Sequence, residues 1–260
     1  MSQEPKIKTR LPRSKKSSYG PLSAILVTLG IYIGAQVLAA LAIGLFATFN
    51  QVDRDITANL ISGSVYLQFL FIFLVGILSM YILWLFLGWR KISWRDIGVR
   101  KPRLKQLWYA LPAYGVYFLL ALLALVLIRA FLPGIDLNQP QQIGFESART
   151  AIELTLVFIS LVLIPSVVEE ILIRGYLYGG LVKKFSKWIA ALVASGIFAV
   201  AHLQFGTSEP LVWVAAIDTF ILSMVLIWLR EKTGNVWAGV IVHMIKNSIA
   251  FAGLFILRFS

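Results

Sequence analysis

The sequence predicts an all-α protein embedded in a membrane, a polytopic bundle of about seven transmembrane helices. Three observations predict this class. The chain is 59% hydrophobic with a mean hydropathy of +0.82, whereas soluble domains are about 45–50% apolar. Its apolar runs follow one another with short connections. Most Lys and Arg residues fall beside alternate connections, which by the positive-inside rule places the N-terminus in the cytosol.

The order of polar and apolar segments defines the elements. Residues 1–20 are polar and basic and predict a disordered cytosolic tail, followed by a single membrane domain over 21–260. The first apolar run exceeds a signal-peptide core of about 7–15 residues and is expected to stay in the mature protein. The predicted spans cover residues 22–49, 60–87, 107–132, 149–182, 188–203, 211–229 and 236–257. Pro165 lies inside the fourth span and predicts a kink there.

Charge and cysteine content exclude several classes of function. The net charge is +12, but the basic residues flank apolar spans, where they set topology and meet anionic lipid. We therefore expect membrane lipid, and not nucleic acid, as a partner. The chain has no cysteine, which excludes disulfides, a cysteine nucleophile and thiolate metal ligands.

Two adjacent carboxylates and an arginine interrupt the fourth span. Charges within the hydrocarbon layer are costly, rare and usually functional or paired. Glu170 and Arg174 are four residues apart on a helix and can form an ion pair. Glu169 points about 100° away from Glu170 and lacks that local partner. We therefore identify Glu169 as a candidate general base.

Both histidines of the chain lie in predicted spans. His202 follows Phe198 by four residues, and His243 precedes Asn247 by four, so each pair shares a helix face. Counted from the cytosolic turns, Glu169 and His202 both lie about 21 Å deep. The three remaining polar side chains, Arg174, His243 and Asn247, lie about 10–16 Å deep on the same count. All five are expected to line one cavity.

These residues form three motifs, Glu-Glu-x-x-x-Arg, Phe-x-x-x-His and His-x-x-x-Asn, in that order on successive late spans. The pattern resembles the CPBP family, the intramembrane proteases related to the type II CAAX prenyl endopeptidases and known as the Abi family. The resemblance covers about residues 164–251 and implies a catalytic core over about 149–258. The first three spans are similar to the family only in hydropathy.

The resemblance implies an intramembrane endopeptidase. In that case Glu169, helped by His202, activates a water molecule, while His243 and Asn247 stabilise the oxyanion. Glu170, Arg174 and Phe198 support these groups. A mechanism without a cofactor is favoured, and the runner-up is a zinc site formed by Glu169, His202 and His243. The sequence contains no His-Glu-x-x-His motif.

Other functions remain open at this point. A proton-coupled transporter also uses intramembrane Glu, His and Asp residues, and a bacteriocin-immunity or scaffold protein could retain the fold without activity. Asp218 and Lys246 lie at similar estimated depths, within about 3 Å, and are expected to form a structural salt bridge. The short loops favour a prokaryotic plasma membrane. The substrate is expected to be a membrane-associated peptide or protein.

Overall fold

The structure is a computed structural model that describes residues 19–50, 63–132, 134–137, 143–204 and 211–257. Within these residues the chain forms seven helices and no strand. The helices are α1 Pro21–Phe49, α2 Val65–Trp89, α3 Lys105–Phe131, α4 Ala151–Leu181, α5 Lys187–Val200, α6 Trp213–Thr233 and α7 Trp237–Ile256. This confirms the predicted polytopic helical bundle.

Six of these helices are long and apolar enough to cross a membrane, and α5 is the exception. It has 14 residues, about 21 Å at 1.5 Å per residue, against a hydrocarbon layer of about 30 Å. The fifth span predicted from the sequence, residues 188–203, is therefore too long at its carboxyl end. There the ring Nδ1 of His202 lies 2.8 Å from the Phe198 carbonyl oxygen, and the His202 backbone N–H bonds to Ala199 instead. The His202 ring thus takes the place of the His202 backbone N–H at the Phe198 carbonyl, and the α-helical hydrogen-bond pattern ends there.

Small side chains allow α1 to approach its neighbours closely. It packs against α2 and against the carboxyl half of α4. Gly180 of α4 faces Ala24 so directly that a Cβ atom at Gly180 would overlap it. Small residues at helix interfaces allow this approach where lipid provides no hydrophobic driving force. The buried face of α1 consists of Ala24, Thr28, Ile31, Ala35, Ala39, Ile43 and Ala47.

Large apolar side chains cover the outer surface of the bundle. Leu26 and Phe46 of α1 are 59% and 71% exposed, and Leu119 of α3 is 66% exposed. Exposed apolar side chains in this number are unfavourable in water and are satisfied by lipid. The protein is therefore an integral membrane protein.

The predicted N-terminal tail lies outside the described residues except for Tyr19 and Gly20. Tyr19 is 4% exposed and stacks on Tyr176 of α4 with ring centroids 4.9 Å apart. The Nζ of Lys183 lies 3.4 Å from the centre of the Tyr19 ring. Tyr19 therefore belongs to the packed membrane domain, although it falls within the stretch predicted to be disordered.

The helix that carries the two glutamates is irregular in two places. Hydrogen bonding in α4 is of the π type over Ile159–Leu163 and again over Glu170–Leu177, with α-helical turns between. Pro165 follows the first of these stretches, where the sequence predicts a disruption. Its missing N–H cannot bond to the carbonyl of Leu161 in the α-helical register. Such π turns are frequent at functional sites.

Candidate active site

The ion pair predicted on α4 is present and fully buried. Arg174 Nη1 lies 2.9 Å from Glu170 Oε1, and both side chains are 0% exposed. The Arg174 guanidinium also lies over the ring of Phe198, with its Cζ atom 4.4 Å from the ring centre. A buried charge needs such partners because transferring an ion from water to the protein interior costs roughly several kcal/mol. Glu170 and Arg174 therefore form a buried ion pair beside the site, and each charge is compensated by the other.

His243 of α7 lies between the two glutamates. Its Nδ1 is 3.2 Å from Glu170 Oε1, and its Nε2 is 3.8 Å from Glu169 Oε2. Because an ionised carboxylate only accepts hydrogen bonds, Nδ1 carries a proton and Nε2 faces Glu169. The Glu169 side chain is 26% exposed, whereas that of Glu170 is 0% exposed. The two adjacent carboxylates thus have different surroundings, as the sequence indicates.

Gly239 allows α7 to approach Glu170. A Cβ atom at this position would lie 2.6 Å from Glu170 Oε2, so any larger residue would displace the carboxylate. Gly239, His243 and Asn247 follow each other at four-residue intervals and share one face of α7. Gly239 is not among the site residues predicted from the sequence, although its four-residue spacing from His243 indicates it.

Phe198 and His202 bring the end of α5 to the same cluster. Their rings meet edge to face with centroids 4.7 Å apart, and the Phe198 ring lies 6.4 Å from that of His243. The contact between His202 Nδ1 and the Phe198 carbonyl fixes the tautomer, because a carbonyl can only accept a hydrogen bond. In neutral His202 the lone pair is therefore on Nε2, where it can accept a proton or bind water.

Asn247 is held by the irregular part of α4. Its Nδ2 donates to the Leu161 carbonyl at 2.9 Å, which is the carbonyl that Pro165 cannot use in an α-helical register. An amide nitrogen carries two N–H donors. One N–H of Asn247 is thus fixed by α4, and the second is available to a ligand.

One cavity collects the predicted catalytic side chains. It has a volume of about 860 Å³ and is lined by Glu169, His202, His243 and Asn247 among others. A volume of this size is typical of binding sites for small ligands and peptide segments. Arg174 is fully buried and is absent from the lining, so the prediction that it faces the cavity is wrong. Its partner Glu170 and the ring of Phe198 enclose it instead.

Asp218 and Lys246 also line this cavity and contact each other. Lys246 Nζ lies 3.4 Å from Asp218 Oδ2, which confirms the predicted salt bridge. The other carboxylate oxygen accepts a hydrogen bond of 2.7 Å from the hydroxyl of Tyr117. The network joins α3, α6 and α7, so it has a structural role in the wall of the cavity.

The donor set considered for zinc is not assembled in the described part of the chain. There, no three His, Cys, Asp or Glu side chains lie close enough together to hold a metal ion. His243 Nδ1 contacts Glu170 and His202 Nδ1 contacts a carbonyl, which are typical outer-shell partners of metal-binding imidazoles. Even so, Glu169, His202 and His243 do not form a group that could hold a zinc ion in the positions that the structure gives them.

Comparison with known proteins agrees with the motifs. No curated protein and no solved structure matches the chain. Residues 151–249 match the family model described as type II CAAX prenyl endopeptidase Rce1-like. Over the segment that carries all of its predicted catalytic side chains, the chain is therefore similar to the Rce1-like type II CAAX prenyl endopeptidases, and this confirms the resemblance inferred from the three motifs.

Proposed function

We propose that the protein is an intramembrane endopeptidase that hydrolyses a peptide bond of a membrane-associated protein. The observation that carries the proposal is the cavity in which Glu169, His202, His243 and Asn247 meet inside an apolar bundle. The family match over residues 151–249 supports the same class of reaction, CAAX-type endoproteolysis in the membrane.

Glu169 is the general base of the proposed reaction. Its carboxylate takes a proton from a water molecule that the Nε2 lone pair of His202 helps to orient. The resulting hydroxide attacks the carbonyl carbon of the scissile bond. General base catalysis by a positioned side chain contributes roughly 10²–10⁴ to the rate.

Asn247 and His243 stabilise the negative charge that forms on the carbonyl oxygen. The second Nδ2–H of Asn247 donates to this oxygen, while its first remains on the Leu161 carbonyl. His243 donates through Nε2 when that atom carries a proton, and Glu170 compensates the positive charge through Nδ1. A single donor of this kind is typically worth about 2.7–4 kcal/mol in the transition state.

Collapse of the tetrahedral intermediate breaks the C–N bond. The proton held by Glu169 passes to the departing amine, so that water has added OH to the acyl carbon and H to the nitrogen. Glu169 returns to its ionised form. The residues therefore complete one hydrolysis with no group other than water.

Replacement of Glu169 by Gln tests the proposal because it preserves the shape of the side chain and removes the base. The purified protein, reconstituted in lipid, is incubated with a proteome-derived peptide library, and new termini are identified by mass spectrometry. Wild-type protein is expected to generate new termini, and Glu169→Gln to generate at least about a hundredfold fewer. Equal cleavage by both proteins would contradict the assignment of Glu169.

The same samples separate the other classes of function. A transporter is expected to accumulate a solute in sealed vesicles without forming new termini, and a scaffold protein is expected to do neither. Preincubation with a chelator followed by metal add-back tests the zinc alternative. Activity that is lost on chelation and restored by zinc would contradict the metal-free mechanism.

A further inference from the structure

A second cavity also borders the proposed catalytic residues. It has a volume of about 200 Å³, and Glu169, Phe198 and His202 line both this cavity and the larger one. We call the smaller cavity the α1 chamber, because Thr28, Leu29 and Tyr32 of α1 form one of its walls. Glu169 and His202 thus stand between two spaces.

Helix α1 lies outside the part of the chain that matches the endopeptidase family. The family match therefore says nothing about the contribution of α1 to the site. The opposite walls come from α4 and α5, with Leu172, Ile173 and Ile197. These side chains make the chamber mainly apolar, although Glu169, His202 and Gln204 also line it.

One polar atom in the chamber wall is buried without a partner. Thr28 is 3% exposed, and its Oγ1 makes no hydrogen bond to any described residue. A buried hydroxyl left without a hydrogen bond destabilises the protein. Thr28 lines the chamber, so a rotation of its side chain would let a peptide N–H or carbonyl there bond to the hydroxyl, whereas the acyl chain of a lipid cannot.

The size of the chamber limits what can enter. Cavities for drug-sized ligands have volumes of about 300–1,000 Å³, so 200 Å³ suits a single side chain. Leu29 and Tyr32 are 40% and 45% exposed, and the chamber thus opens towards the lipid-facing surface of α1. A peptide segment that passes Glu169 can place its larger flank in the main cavity and one side chain in the chamber.

We propose that the α1 chamber is a specificity subsite that binds one medium-sized apolar side chain of the substrate next to the scissile bond. This proposal rests on the proposed endopeptidase function. Leu29 sets the size of the side chain that is accepted, and Thr28 Oγ1 bonds to the peptide backbone of the same residue. An apolar pocket discriminates by roughly 10–200-fold for each methylene that is missing or added.

The test measures peptide capture, so that it does not depend on cleavage. Glu169→Gln protein in lipid nanodiscs is mixed with a proteome-derived peptide library, and the captured peptides are identified by mass spectrometry. Leu29→Trp and Leu29→Ala are introduced into this background. Leu38 is the matched control, because it lies on the same helix, is 47% exposed and lines neither cavity.

Leu29→Trp is expected to shift the captured peptides about tenfold from medium apolar residues towards Gly and Ala at one position. Leu29→Ala is expected to shift the same position towards larger residues, and Leu38→Trp to change nothing. Identical residue preferences in the Leu29 and Leu38 variants would overturn the proposal. Failure of the Glu169→Gln protein to enrich any peptide would overturn it as well.

Thr28→Val provides an independent arm. It removes the hydroxyl and keeps the branched shape, and we expect several-fold weaker capture with an unchanged or higher melting temperature. Unchanged capture would contradict the role of Thr28. Failure of the proposed endopeptidase function would give a different result. In that case the wild-type protein would form no new termini, even if the Glu169→Gln variant still captured peptides according to the size of one residue.

Discussion

At the scale of single residues, Glu169 and Glu170 are neighbours in sequence with opposite environments. Glu170 is 0% exposed and contacts both Arg174 and His243, whereas Glu169 is partly exposed to the cavity. A buried carboxylate with two partners is suited to orienting those partners. A carboxylate that faces a cavity is suited to proton transfer.

The two Glu→Gln substitutions are therefore expected to have different effects. Glu170→Gln leaves the buried Arg174 without its counter-charge and should destabilise the protein by about 3–5 kcal/mol. Glu169→Gln should abolish cleavage with little change in melting temperature. Thermal unfolding in detergent, measured beside cleavage, checks both, and a larger loss of stability for Glu169→Gln than for Glu170→Gln would contradict this division.

Gly239 is a second residue whose role depends on close approach. Gly239→Ala places a methyl group against Glu170 Oε2 and is expected to cost about 1–3 kcal/mol through overpacking and to reduce cleavage. Gly196→Ala in α5 is the matched control, because nothing lies within 4 Å of a Cβ atom there. We expect Gly196→Ala to be neutral or stabilising by up to about 1 kcal/mol. Equal effects of the two substitutions on activity would show that the approach of α7 to Glu170 is unimportant.

At the scale of elements, the irregularity of α4 positions Asn247 of α7. Pro165 cannot donate to Leu161 in the α-helical register, and Asn247 donates to that carbonyl instead. Proline is usually tolerated in membrane helices because neighbouring groups bond to the carbonyl that it leaves free. Here that compensation also orients a proposed catalytic side chain.

Pro165→Ala should separate stability from activity. The new N–H competes with Asn247 for the Leu161 carbonyl, so we expect cleavage to fall several-fold while the melting temperature stays equal or rises. Kinetics and thermal unfolding of the same preparation check this expectation. Unchanged cleavage would mean that the hydrogen bond to Leu161 is not needed to hold Asn247.

The network of Tyr117, Asp218 and Lys246 joins α3, α6 and α7 and is expected to stabilise the bundle. Tyr117→Phe removes the hydrogen bond to Asp218 and should lower the free energy of unfolding by about 1 kcal/mol. Tyr109→Phe, on the same helix, serves as the control. An effect of Tyr117→Phe no larger than that of Tyr109→Phe would show that the network does not stabilise the bundle.

At the scale of the whole molecule, the basic connection between α2 and α3 is part of the packed structure. Ile97 is 0% exposed, and the Gly98 carbonyl accepts from the backbone N–H of Val236 at 3.1 Å. The indole Nε1 of Trp237 donates to the Arg100 carbonyl at 2.7 Å. The connection therefore holds the start of α7, the helix that carries His243 and Asn247.

Gly98→Ala is expected to release this connection. Gly98 has φ +82°, where a side chain is strained, and a Cβ atom would overlap the Arg230 guanidinium. We expect a lower melting temperature and faster limited proteolysis between α2 and α3. Gly88→Ala, which meets nothing within 4 Å, is the control, and equal proteolysis of both variants would contradict the expected release.

The sequence by itself determined the membrane class, the approximate helices and the candidate catalytic residues. Hydropathy and charge are properties of contiguous segments, so they can be read without the fold. The motifs around Glu169, His202 and His243 were recognisable because polar residues are rare within apolar spans. The Glu170–Arg174 pair was predictable for the same local reason, since its partners are four residues apart.

The tertiary structure alone decided how distant segments meet. Glu170 rather than Glu169 holds His243 Nδ1, Asn247 donates to the Leu161 carbonyl, and α1 contributes a wall beside Glu169. Each depends on contacts between residues far apart in the chain. Side-chain packing between helices determines such contacts. Hydropathy patterns do not predict this packing, because several packings of the same helices bury the same apolar area.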